Sequence, residues 1–139
     1  MIYLELKRKH TEQLDDFPMV FAFNKEQFRE GLNKLGVERE DICTISGAGF
    51  RFIRKADAKA FGNLLLNQAR EMDKAMLDDD FLINAIEYEL GNHEYCITHN
   101  PEETLNALGI DLENADERVV GCFKTARKNY LDACEVEGW

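Results

Sequence analysis

The chain has 139 residues, 45% hydrophobic and 32% charged, which suits one globular domain expected to span 1–139. No apolar run approaches the ~18 residues of a membrane helix, and a 10% aromatic fraction with nine Phe excludes wholesale disorder. The formal net charge is −10, from 17 Lys and Arg against 27 Asp and Glu.

Ile2, Leu4 and Leu6 alternate with Tyr3, Glu5 and Lys7, a period of two that predicts a strand. The charges of this opening segment follow its apolar residues, the reverse of a secretory signal. Lys7 to Asp16 is polar and suits a connection. Phe17 to Phe23 is a second predicted strand, with Pro18 at its start or on an edge because it lacks a donor. Asn24 is placed to cap a helix with Phe28, Leu32 and Leu35 inward and Gly36 as its stop. Ile42–Ile45 and Phe50–Ile53 read as paired strands, with Ser46-Gly47-Ala48-Gly49 as the turn between them.

Asp57 opens a long predicted helix to Leu77, with Phe61, Leu64, Leu65, Gln68, Met72 and Met76 at steps of three and four. Asp78-Asp79-Asp80 suits the start of the next, which turns Phe81, Leu82, Ala85, Ile86 and Leu90 to one side and stops at Gly91. Tyr95–Thr98 reads as a short strand or an ordered loop. Asn100-Pro101-Glu102-Glu103 predicts a cap, a first-turn proline and a capping box, before Leu105, Leu108 and the stop at Gly109. Asn114 to Asp116 open the last helix, with Val119, Phe123, Ala126 and Tyr130 inward. Early strands and late helices predict an α+β fold. Its sheet is small and antiparallel, of three or four strands, packed against a predominantly helical C-terminal half. The long helix 57–77 is the expected cover of the sheet.

Charge is unevenly placed. Residues 1–70 hold 12 basic and 10 acidic side chains, whereas 71–139 hold 5 and 17. Between 71 and 117, Lys74 is the only cation against 14 carboxylates. That segment would repel phosphates instead of releasing counterions, so direct DNA or RNA binding is not expected there, and a basic partner is electrostatically favoured. Solubility explains the same charge. Cys43, Cys96, Cys122 and Cys134 show no C-x-x-C spacing and are expected to be reduced, partly buried thiols of a cytoplasmic protein.

The densest set of donor side chains is Glu89, His93, Cys96 and His99. Carboxylate, imidazole and thiolate are all competent zinc ligands, so these four are the candidate metal site. Their spacing matches no standard zinc signature, and they serve equally well as loop and core residues. Glu89 and His93 share a helical face only if the helix continues through Gly91. The glycine pair of the 46–49 turn lacks the Lys-Ser/Thr of a phosphate-binding loop. Asp78–Asp80 lacks the spread ligands of a calcium loop and is explained by capping. Ser46 is the only serine and has no nucleophile elbow around it. Arg51, Arg54, Lys55 and Lys59 interleave with Phe50, Phe52 and Phe61. That patch suits a nucleic-acid or acidic-protein contact if the rings point outward, and ordinary core packing if they point inward.

Two segments carry a resemblance: Phe21-Ala-Phe-Asn-Lys-Glu-Gln-Phe, continuing to Gly36, and Tyr88-Glu-Leu-Gly-Asn-His-Glu-Tyr-Cys-Ile-Thr-His-Asn-Pro, continuing to Gly109. With the glycine-rich turn, the chain resembles small acidic uncharacterised proteins of bacteriophages and mobile elements of low-GC Gram-positive bacteria. The resemblance implies a cytoplasmic accessory protein of a mobile element and assigns no catalytic residue. In that context the acidic segment points to a non-enzymatic interaction protein that binds a basic or nucleic-acid-binding host protein. Such a protein imitates a phosphate backbone only if Asp73, Asp78–Asp80, Glu87, Glu89, Glu94, Glu102 and Glu103 form one regular stripe. The alternative is a small metal-dependent or thiol-using enzyme with its site around His93, Cys96 and His99, zinc being the implied cofactor. No membrane partner is expected.

Overall fold

The structure, a computed structural model, describes residues 2–45 and 50–136. In chain order the elements are α1 (Tyr3–Asp15), β1 (Met19–Phe21), α2 (Lys25–Leu35), β2 (Ile42–Thr44), β3 (Arg51–Arg54) and α3 (Ala58–Ala75), then α4 (Asp79–Asn92), α5 (Tyr95–Thr98), α6 (Glu102–Leu108) and α7 (Glu117–Val136). Short 3-10 turns occupy Arg39–Asp41 and Lys55–Asp57. The fold is α+β, with one three-stranded antiparallel sheet and a mostly helical C-terminal half. The chain divides into two compact units, one of residues 9–70 and one of residues 1–8 with 71–139.

The unit of residues 9–70 holds the sheet, ordered β1-β3-β2. Val20 lies opposite Phe52 in one pairing, and Cys43 opposite Ile53 in the other. Pro18 therefore precedes an edge strand, as its missing donor requires. Asn24 Oδ1 accepts from Gln27 N at 2.8 Å, and Gly36 closes α2 with φ of 67°. The core of this unit is Ala22, Leu35 and Phe52, with Val20, Phe28, Leu32, Val37 and Ile42 packed on it. Helix α2 forms this core with the sheet. The reason is steric: Gly31 of α2 lets its backbone come so close that an added Cβ would lie 2.4 Å from Val20 Cγ1. The long helix forms as expected but buries no residue fully, and Leu65 and Leu66 stay exposed. Asp57 ends the 3-10 turn before α3, and its carboxylate pairs with Arg54 Nε at 2.7 Å. The Ser46–Gly49 turn lies outside the described residues.

The N-terminal strand is not formed. Residues 3–15 are helical, and the expected strand and polar connection are one helix, α1. The alternating pattern misleads because Ile2 and Leu4 are exposed, while Tyr3 and Leu6, one helical turn apart, are buried. Nothing between Tyr3 and Asp15 breaks a helix.

The second unit is built on α4. Its Leu82, Ile86 and Leu90 pack with Tyr95, Cys122, Phe123 and Ala126, the last three from α7. Its Phe81 and Ala85 pack with Tyr3 and Leu6, bordered by Met72 and Met76. Burying an aliphatic or aromatic side chain of this kind contributes about 1.5–3 kcal/mol. Asp78 Oδ1 accepts from Phe81 N at 2.9 Å and caps α4; Asp116 does the same for Val119 N at α7. Three boundaries differ from expectation. Helix α4 runs through Gly91 to Asn92. Tyr95–Thr98 is a single helical turn, entered and left through Glu94 and His99, whose φ values of 54° and 53° are left-handed. Pro101 stands at the cap of α6, Asn100 Oδ1 accepts from Glu102 N at 3.0 Å, and Glu103 makes no capping box. Among the described residues no helix is long and apolar enough to cross a membrane.

Candidate functional site around Glu89

Continuation of α4 through Gly91 has one consequence for chemistry: residues 89 and 93 fall on the same helical face. Glu89 is 2% exposed, a carboxylate inside the protein. Such a group is tolerated only with partners. Tyr3 Oη donates to Oε1 at 2.7 Å and Lys7 Nζ to the same oxygen at 3.3 Å. Asn92 Nδ2 donates to Oε2 at 3.4 Å, and His93 Nε2 lies 3.2 Å from Oε2. That last approach lacks hydrogen-bond geometry, so Nε2 is buried without a hydrogen-bond partner among the described residues. The other ring nitrogen, Nδ1, meets Glu103 Oε2 at 3.0 Å. The backbone of Glu89 is held as well, its carbonyl accepting from the buried Thr104 Oγ1 at 3.1 Å.

Tyr3 and Lys7 are four apart in α1 and reach the carboxylate together. The Lys7 ammonium lies 5.3 Å from the Tyr3 ring centre and 5.8 Å from that of Tyr88, over both faces. Burial pushes the Glu89 carboxyl upward. The Tyr3 hydrogen bond, the Lys7 charge and the Asn92 amide outweigh it and hold the group below its ordinary value. The Tyr3 hydroxyl is displaced upward, first by burial and then by its bond to a carboxylate. The pair therefore stays as phenol and carboxylate, a fixed charge in a fixed place.

Of the four candidate ligands, the structure brings Glu89 and His93 together. Cys96 and His99 do not join them: among the described residues no group of three or more His, Cys, Asp or Glu side chains is arranged to hold a metal ion. The Cys96 N–H donates to Tyr130 Oη at 3.2 Å. Burial raises the Tyr130 hydroxyl, and the neighbouring thiols of Cys96 and Cys134 raise it further. His99 is exposed at the end of α5, its ring 6.0 Å from that of Tyr95. All four cysteines are free; Cys122 and Cys134 are buried, and burial raises the Cys122 thiol.

The acidic residues separate into roles. Asp78 caps α4, and Asp79 Oδ1 takes Arg118 Nη1 at 2.7 Å. Glu87 accepts from Asn129 at 2.9 Å. Asp78–Asp80 stand at the start of α4 beside Arg118 of α7, whereas Glu94, Glu102 and Glu103 follow its C-terminal end. A helix of this length spans about 21 Å. In the basic and aromatic patch the rings divide: Phe52 is 2% exposed, Phe50 64%.

Sequence reasoning missed Tyr3, Lys7, Asn92 and Thr104. The i, i+4 spacing of Tyr3 and Lys7 was the available signal, hidden by the strand reading of the same residues.

A family model covers residues 2–129, so the chain belongs to DUF7659, a family of unknown function. No curated protein and no solved structure matches it.

Proposed function

We propose that this member of the family is a non-enzymatic interaction protein that docks a basic protein partner, as an accessory protein of a mobile element in the host cytoplasm. The observation that supports this is the placement of charge. Of the 14 carboxylates between residues 71 and 117, 11 are exposed, and Lys74 is the only cation of that segment. An excess of exposed carboxylates steers a basic partner and sets the rate of encounter more than the final affinity. Glu89 contributes nothing to this surface because it is buried.

The test is capture of partners from a bacterial host lysate at low and high salt, with mass spectrometry of what is retained. Charge reversals belong at Asp80, Glu102 and Glu117, which are exposed and whose side chains form no hydrogen bond or ion pair among the described residues. Retention of a nucleic-acid-binding protein at low salt, lost at high salt and in the reversals, is the expected result. Retention indifferent to both sinks the proposal.

The second reading, a metal-dependent or thiol-using enzyme, is supported by one contact, the 3.2 Å approach of His93 to Glu89. It needs Cys96 or His99 to swing toward that pair. Stoichiometric zinc in protein purified without chelator or a nickel column, lost in His93→Ala, would favour it.

A further inference from the structure

The unit of residues 9–70 carries a surface of opposite character. Between the sheet and α2 lies an open groove of about 740 Å³. Its base is the packed pair Phe28 and Phe52, ring centres 5.2 Å apart, with Leu32 beside them. On its lining stand Phe23 and Phe50, 65% and 64% exposed, ring centres 5.8 Å apart. Lys25, Arg29, Arg39 and Arg51 complete the polar lining with Asn24 and Thr44, and among the described residues no carboxylate lines the groove. None of these four cations forms an ion pair among the described residues. Arg51 instead lies 5.3 Å from the ring centre of Phe21, which is itself edge-on to Phe23 at 4.5 Å.

Exposed aromatic rings cost solvation unless something covers them, and isolated surface Phe residues are ordinary. These are not isolated: they share one concavity with four uncompensated cations. The backbone that presents them is fixed. Phe23 N donates to Gln27 Oε1 at 2.7 Å while Gln27 N donates to Asn24 Oδ1 at 2.8 Å, a reciprocal clasp at the start of α2. A surface held in its binding geometry loses less entropy on association. Aromatic residues and Arg are the types that dominate binding energy at protein interfaces.

We propose that this groove binds a short acidic peptide segment with an aromatic or aliphatic anchor. The anchor seats on Phe23, Phe28 and Phe50, and flanking carboxylates meet Arg29, Arg39 and Arg51. Charge complementarity fixes the sign of the occupant. Its size and form follow from the shape: the volume is that of a pocket for a few side chains. A single-stranded nucleic acid needs a longer cationic track.

The test is selection from a random peptide library displayed on phage, run in parallel against the whole protein and its Phe23→Ala/Phe50→Ala variant. Both rings are largely exposed, so the double variant keeps the core; circular dichroism checks that it is folded. Selection of peptides with Asp or Glu flanking one large apolar residue is expected on the unaltered protein alone. Fluorescence anisotropy with a selected peptide should then show binding weakened about tenfold or more in the Phe variant. Arg29→Glu/Arg51→Glu should do the same, and added salt should weaken binding further. Selection without acidic residues, equal selection on the double variant, or displacement of the peptide by oligothymidylate overturns the proposal. So does concentration-dependent self-association in sedimentation that the Phe variant abolishes, because it assigns the face to a second copy of the chain.

Discussion

Tyr3 Oη donates to Glu89 Oε1 at 2.7 Å across 86 positions of sequence, which makes the first turn of α1 the lid of a buried carboxylate. Tyr3→Phe keeps the ring against Phe81 and Tyr88 and removes one donor. The carboxylate then relies on Lys7 and Asn92 at longer range, and leaving it short of a partner costs about 1–3 kcal/mol. Urea denaturation at neutral pH should show that loss with an unchanged slope. A variant as stable as the parent would mean that Glu89 is satisfied without Tyr3.

The same pair dictates a pH dependence. The Glu89 carboxyl is held below its ordinary 4.5 in the folded protein, so its contribution is complete above that value and disappears as pH falls through the lower folded one. The stability difference between the parent and Glu89→Gln should be flat near neutrality and shrink below pH 4.5. Tyr3 acts at the other end. Its hydroxyl is raised above 10.0, so its contribution is complete below pH 10 and is lost as pH climbs toward the folded value. Tyr3→Phe removes that alkaline component. Parallel pH profiles for parent and both variants would contradict the linkage.

What the sequence made legible follows from the range of the interactions. Caps are local: Asn24, Asp78 and Asp116 were each readable from the residue type and the apolar run that follows, and each accepts the expected backbone N–H. The β2–β3 pairing was readable because two β-prone runs flank a glycine-rich sequence. Failures occurred where a distant partner decided. Whether Ile2–Leu6 is strand or helix depends on what buries Tyr3 and Leu6, and that is Phe81 and Ala85. Gly91 ends a helix by propensity, at a cost of about 1 kcal/mol when it does not. Here Leu90 is fully buried on α4, and Gly91 sits where an added Cβ would lie 3.7 Å from the Tyr130 ring, so packing overrides propensity. Glu103 was readable as half of a capping box but is bonded to His93 instead. The groove on α2 was half visible. Phe50 and Phe52 stand two apart, as they would to share one face of a strand, yet nothing local said that Phe50 would stand exposed beside Phe23 while Phe52 lies buried at the base.

Two glycines in helices give opposite expectations. An added Cβ at Gly31 would lie 2.4 Å from Val20 Cγ1 and 2.8 Å from Phe52 Cζ, and both neighbours belong to the core of the sheet. Gly31→Ala should cost about 1–3 kcal/mol by overpacking. It should also displace Phe52 and so reshape the base of the groove. At Gly62 in α3 an added Cβ meets nothing within 4 Å. There Gly62→Ala should stabilise by about 0.5–1 kcal/mol, through helix propensity and a less disordered unfolded chain. Thermal melts of the two variants should move in opposite directions. A Gly31→Ala melt that does not fall would show that α2 does not sit as close to the sheet as its geometry requires.

Asp78 carries two roles that one pair of substitutions separates. As the cap of α4 it accepts from Phe81 N at 2.9 Å, and as a carboxylate it adds to the acidic group beside Asp79 and Asp80. Asp78→Ala removes both, at about 1 kcal/mol for the cap. Asp78→Asn keeps an oxygen acceptor of nearly equal capping strength and removes the charge. The alanine variant should melt lower and the asparagine variant close to the parent, within the few tenths of a kcal/mol that dipole compensation supplies at a helix end. If the acidic group serves a basic partner, both variants should lose salt-sensitive retention in the lysate experiment, the asparagine variant without losing stability. An asparagine variant that retains the partner fully assigns Asp78 to capping alone and leaves recognition to the exposed carboxylates Asp80 and Glu117.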